Sequence, residues 1–120
     1  MKKAIWMGGL LALMCAGIVL AHEEATGMQT ITGEVVDLAC YLGHGAAGAG
    51  HRECAQKCIS SGLPVGIKSG NTVYIAISSE HGSANATLAP LAGQIVVAQG
   101  EISEKDETHL IAIKTVKLKE

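Results

Sequence analysis

The chain has 120 residues with a formal net charge of −2, and its aromatic content is 2% with no phenylalanine. That length suits one small domain. It offers neither a basic face for phosphates nor stacking platforms for bases, which argues against a nucleic-acid partner.

Lys2 and Lys3 precede an apolar run from Ala4 to Ala21, and polarity then jumps at His22, Glu23 and Glu24. A short basic start, an apolar core and small residues before a polar segment predict a secretory signal peptide over 1–21. Val19, Leu20 and Ala21 place the cut before His22. Read instead as a membrane anchor, the run would have to tolerate Gly8, Gly9 and Gly17. Cys15 follows Met14, which is too large for a lipoprotein processing site. The expected location is therefore periplasmic or secreted, with membrane attachment only through an uncleaved signal peptide. Cleavage would leave seven basic and eleven acidic residues, a net charge of −4.

Residues 22–29 read as a flexible polar lead-in to a domain over 30–120. A chain starting at His22 would present an amine and a ring nitrogen that can chelate copper(II), a weak metal candidate beside the plainer reading of a frayed terminus. From Thr30 the stretch TITGEVVDLAC is rich in β-branched residues and predicts a strand, with a bend or bulge at Gly33 and Cys40 at its end. A glycine-rich segment follows. The pattern HRECAQKCISSG then predicts a helix over 51–61, with His51, Cys54, Ala55, Cys58 and Ile59 on one face and Gly62 and Pro64 as the stop. PVGIK and TVYIAIS around Ser69, Gly70 and Asn71 predict a hairpin. SANATLAPLAG carries neither period and predicts a short helix or turn. QIVVAQGEIS and THLIAIKTVKL, joined by the charged EKDE, predict a second hairpin.

Five strands and a cysteine-bearing helix after the first strand make a small barrel the natural closure, because it removes exposed edges. TGEVVD and QGEISE echo one another as strands bent at a Gly-Glu pair. On these stretches residues 30 to 118 resemble the OB-fold, in particular small exported bacterial OB-like domains. The segment from Gly33 to Ile67 is similar to a cysteine/histidine segment recurring in exported bacterial proteins. The resemblance implies a mainly β, five-stranded OB-like barrel whose loop after strand one lies beside the usual ligand face. It implies nothing firm about activity, since fold does not fix function.

The chemistry concentrates in residues 40 to 58. Gly43, Gly45 and Gly48 match G-x-G-x-x-G, but hairpins stand where a dinucleotide site needs a βαβ unit, and the acidic partner is missing. A disulfide reading pairs Cys40 with Cys54 or Cys58. The two helix cysteines are four apart, with Cβ atoms roughly 5–6 Å apart, where a bridge wants about 3.8 Å. Such a staple could add roughly 3 kcal/mol and leaves one thiol over. A metal reading uses more of the residues. His51, Cys54 and Cys58 at i, i+3 and i+7 converge on one side of a helix, Cys40 completes a Cys3His set, and His44 is a spare ligand on the loop. Thiolate-rich sets suit copper(I) or zinc. A thiol-redox reading lacks Cys-x-x-Cys, although His51 beside Cys54 could lower a thiol pKa.

Elsewhere, His81 and His109 read as solvent-facing, Met28 as a gap filler and Tyr41 as a cover for the site. Glu34 and Asp37, three apart on a strand, are expected to face opposite sides and form no acid/base pair. No nucleophile elbow or triad motif is present. The sequence thus favours a non-enzymatic, soft-metal-binding protein, copper(I) before zinc, acting as carrier, sensor or electron-transfer partner with a protein partner. The competing expectation is a disulfide-stapled interaction module.

Overall fold

The computed structural model describes residues 27–120. The signal peptide, Cys15 and the His22 candidate lie outside the described residues.

The domain is mainly β, as the sequence predicts: five strands close into a barrel in the order β1-β2-β3-β5-β4. They are β1 (Gly27–Asp37), β2 (Val65–Ser69), β3 (Thr72–Ser78), β4 (Ile95–Lys105) and β5 (Thr108–Leu118). All neighbours pair antiparallel except β3 and β5, which run parallel. β1 already pairs with β4 at Gly27, so the strand begins before Thr30 and absorbs the end of the expected lead-in.

β1 and β4 are long, 11 residues each, and each carries a glycine where another strand approaches it closely. A Cβ at Gly33 would lie 2.4 Å from the Lys68 carbonyl oxygen, and one at Gly100 would lie 2.3 Å from that of Ala112. At Gly100 the pairing with β5 also slips past Lys114, a bulge that bends the strand. The Gly-Glu echo therefore marks the two places where a neighbouring strand leaves no room for a side chain. The β4–β5 hairpin turns on Asp106 and Glu107, both at positive φ (50° and 61°), the geometry of a two-residue type I′ turn.

Inward-facing Val35, Ile67, Val96, Ala98, Ile102 and Ile111 fill the barrel. In β5 the simple alternation breaks at the bulge: Ile111 and Ile113 point inward, and Val116 takes the next inward place.

Three short helices complete the domain: α1 (Leu38–His44), α2 (Arg52–Ser60) and α3 (Asn85–Leu88), with 3-10 turns at Ala49–His51 and Ala89–Leu91. Ala55 and Ile59 of α2 and Leu88 of α3 join the barrel core. The Asn85 side-chain amide donates to the carbonyls of Ile59 and Leu63, tying α3 to the end of α2. No helix among the described residues is long and apolar enough to cross a membrane.

Two boundaries differ from the sequence reading. β1 stops at Asp37, so Cys40 sits in the first turns of α1 rather than at a strand end. The cause is local: the Asp37 carboxylate accepts the Cys40 backbone N–H at 2.9 Å, an N-cap that turns the chain into a helix. Gly45, at φ 72°, ends that helix in the left-handed conformation. The second helix is also shorter than expected. His51 closes the 3-10 turn and stands at the N-cap position of α2.

Candidate metal centre

Asp37 is the organising residue of the site, and it is only 1% exposed. One carboxylate oxygen caps α1 through Cys40 N–H. The other lies 3.0 Å from His51 Nε2. A carboxylate accepts and does not donate, so in the neutral imidazole Nε2 carries the hydrogen and Nδ1 keeps the lone pair. A carboxylate holding one nitrogen of a histidine while the other is left to ligate is the usual outer shell of a metal-binding imidazole.

The glycine-rich loop is held from the same strand. The Gly48 backbone N–H donates to the Glu34 carboxylate, and Gly48 adopts φ 81°, a conformation glycine reaches freely. Glu34 and Asp37 do not act on one another. Both nonetheless serve this region, one fixing the loop and one fixing the histidine. The sequence reading set both aside. The signal available for Asp37 was its spacing: an aspartate three residues before Cys40, with Gly45 beyond, is a helix-start and helix-stop pattern.

These elements bring the sequence-predicted ligands together. The ligand atoms of Cys40, His51 and Cys54 all lie within 4.8 Å of one another, and so do those of Asp37, Cys40 and Cys58. Cys40 belongs to both groups and is the hub. Cys40 and Cys58 are half-buried, Cys54 is exposed, and all three are free thiols. His44 is exposed on α1; its ring stands edge-on to His51 at 6.5 Å between centroids and belongs to neither group. Tyr41 is half-buried beside Cys40. Away from the site, His81 is exposed, whereas His109 is only part-exposed: it lies 3.4 Å from Glu104 and edge-on to Tyr74.

The surroundings favour the protonated form of Cys40 and Cys58 when no cation is present. Partial burial, then the Asp37 charge and its hydrogen bond, push the Cys40 thiol up to about 11. The Cys58 thiol is also raised, first by partial burial and next by its hydrogen bond with Cys54. A bound cation would reverse this by stabilising thiolates, so metal binding here would release protons.

The fold and the cluster define a small closed barrel with a thiol–imidazole site on two helices inserted after its first strand, containing two residue groups that could hold a metal ion. No protein-family model matches the chain, and no curated protein or solved structure does either.

Proposed function

We propose that this protein is an exported soft-metal carrier that binds copper(I) through Cys40, Cys54 and His51, with Cys58 as an adjoining thiolate. The observation that carries the reading is the convergence of those three ligand atoms within 4.8 Å, drawn from two helices 14 residues apart in sequence at the nearer cysteine pair. Nothing in ordinary core packing requires two thiols and an imidazole to meet, and Asp37 orients the imidazole as an outer-shell carboxylate would.

The donor set favours copper(I) over zinc. A structural zinc site takes four ligands at once, with Zn–S near 2.3 Å and therefore ligand edges of about 3.8 Å. Here three of the four sequence-predicted ligands, Cys40, His51 and Cys54, form one group, while Cys58 shares a second group with Cys40 and the Asp37 carboxylate, so the four do not form one mutual set. Copper(I) accepts soft, lower-coordinate thiolate sites. The exposure of Cys54 supports a carrier rather than a permanently closed site, because an incoming thiolate from a protein partner can displace a ligand there.

The test is an anaerobic copper(I) titration against a chromophoric chelator. His51→Ala and Cys54→Ser should each weaken binding by more than the ~10–100-fold typical of an outer-shell change. Equal affinity in wild type and both variants would overturn the reading. A second reading rests on the same closeness of Cys40 to Cys54 and Cys58: a disulfide staple in a non-catalytic interaction module. It would leave His51→Ala with no copper phenotype.

A further inference from the structure

The metal reading uses the sulfurs as ligands; their unequal exposure also bears on what the thiols do when no metal is bound. Cys54 is exposed, Cys58 is half-buried one turn further along the same helix, and Cys40 is half-buried on the facing helix. Cys54 and Cys58 are four apart in α2, with Cβ atoms roughly 5–6 Å apart, so the helix itself keeps them from bridging. Cys40 stands across from both, with its Sγ within 4.8 Å of each.

The remaining approach involves the segment joining the two helices. Around Gly45, Gly48 and Gly50 there is open space where a side chain would project, and Gly45 and Gly48 have positive φ. A bridge requires α1 and α2 to draw together until the sulfurs reach the ~2.05 Å of a disulfide. Glu34 ties the joining segment to β1 at Gly48.

We infer that the metal-free protein carries a thiol–disulfide exchange activity toward low-molecular-mass disulfides, with Cys54 as the attacking thiol, Cys40 as the resolving thiol and Cys58 as a second acceptor for the bridge. In the first step Cys54 sulfur bonds to one sulfur of the external disulfide. The other sulfur leaves and takes the thiol's proton, giving a mixed disulfide and one free thiol. In the second step Cys40 sulfur attacks Cys54 sulfur, the Cys40 proton passes to the departing half, which leaves as the second free thiol, and a Cys40–Cys54 bridge remains. One disulfide is reduced and one is formed, so atoms and electrons balance without a further oxidant. Attack by Cys58 on Cys40 sulfur then moves the bridge to Cys40–Cys58 and returns Cys54 as a free thiol at the surface.

This activity does not depend on the metal reading, because it belongs to the apo form. The probe is oxidised glutathione added to the reduced, metal-free full chain, with acid quenching and peptide mapping by mass spectrometry. The earliest mixed disulfide in the wild type should lie on Cys54, followed by an internal bridge and release of two glutathiones. Cys54→Ser should react about ten-fold more slowly, as expected when only less accessible thiols remain. Cys40→Ser should hold glutathione on Cys54 without resolving it. A first adduct on Cys40 or Cys58 in the wild type, or a bridge formed normally in Cys40→Ser, would overturn the proposal. Copper(I) affinity measured on the same preparations separates a failure here from a failure of the metal reading.

Discussion

Replacing Asp37 by asparagine isolates what the buried carboxylate does for the site. Asparagine caps helices about as well as aspartate, so the bond to Cys40 N–H can persist and α1 should survive. The partner of His51 changes more. An amide nitrogen set against Nε2 donates instead of accepting, so the imidazole must turn away or shift its hydrogen to Nδ1, which removes the ligating lone pair. Loss of an outer-shell carboxylate costs ~10–100-fold in metal affinity, or about 1.4–2.8 kcal/mol. The Cys40 thiol should also become more acidic than its present pKa of about 11, since the Asp37 charge and hydrogen bond are two of the causes holding it up. It should stay above 9 because partial burial, the largest cause, remains. Two assays read this out: copper(I) competition, and the pH dependence of Cys40 alkylation followed by peptide mapping. Asp37→Ala is the contrasting variant. It also loses the cap, ~1 kcal/mol, and the charge-assisted bond, ~1.5–3 kcal/mol. Because the His51 side chain is 17% exposed and can turn to water, the total should fall near the lower end. An Asp37→Asn protein with wild-type copper affinity and an unshifted Cys40 profile would refute the assignment of Asp37 as the residue that orients the site.

Gly33→Ala should destabilise the domain by about 1–3 kcal/mol, the usual range for overpacking, because its Cβ would sit 2.4 Å from a backbone oxygen of β2; a chemical denaturation curve matching wild type would contradict the crossing of β1 over β2. Leu88→Ala empties a fully buried position where α3 meets the barrel and should cost about 2–5 kcal/mol, with a Tm fall of about 4–8 °C per kcal/mol in a domain of this size. The metal-free protein should lose stability as the solution becomes alkaline. The folded chain holds the Cys40 proton up to about pH 11 while an unfolded thiol releases it near 9, so the unfolded state binds fewer protons in that window. The Cys40 contribution is complete below pH 9 and declines as pH rises through about 11. Thermal melts across that range should fall more steeply for wild type than for Cys40→Ser.

The barrel was legible because its cues are local and repeated. Each hairpin carries its own turn, and alternation in β4 and β5 marks the inward face up to the bulge. The bulge itself left no pattern beyond Gly100, because its cause is the crossing of β5 and not any neighbour in sequence. The site was legible in part. Helical spacing expected His51, Cys54 and Cys58 on one side with Cys40 as their partner; the structure groups His51 and Cys54 with Cys40 and sets Cys58 with Cys40 and Asp37. Asp37 was hidden because it ends a run of β-branched residues, so strand periodicity overrode its capping signal. Its contact with His51 spans 14 residues and depends on how the loop folds back, which no local period encodes. Glu34 escaped notice for the same reason: its partner is a backbone N–H on the far loop.

The central claim is that Cys40, Cys54 and His51 bind one soft metal ion, and native mass spectrometry of the protein isolated without reductant tests it most directly. The account predicts a chain carrying one copper ion with all three thiols reduced, and loss of that ion in His51→Ala. A metal-free wild-type chain that stays two hydrogens below the reduced mass, and takes up no copper(I) even after reduction, would contradict it.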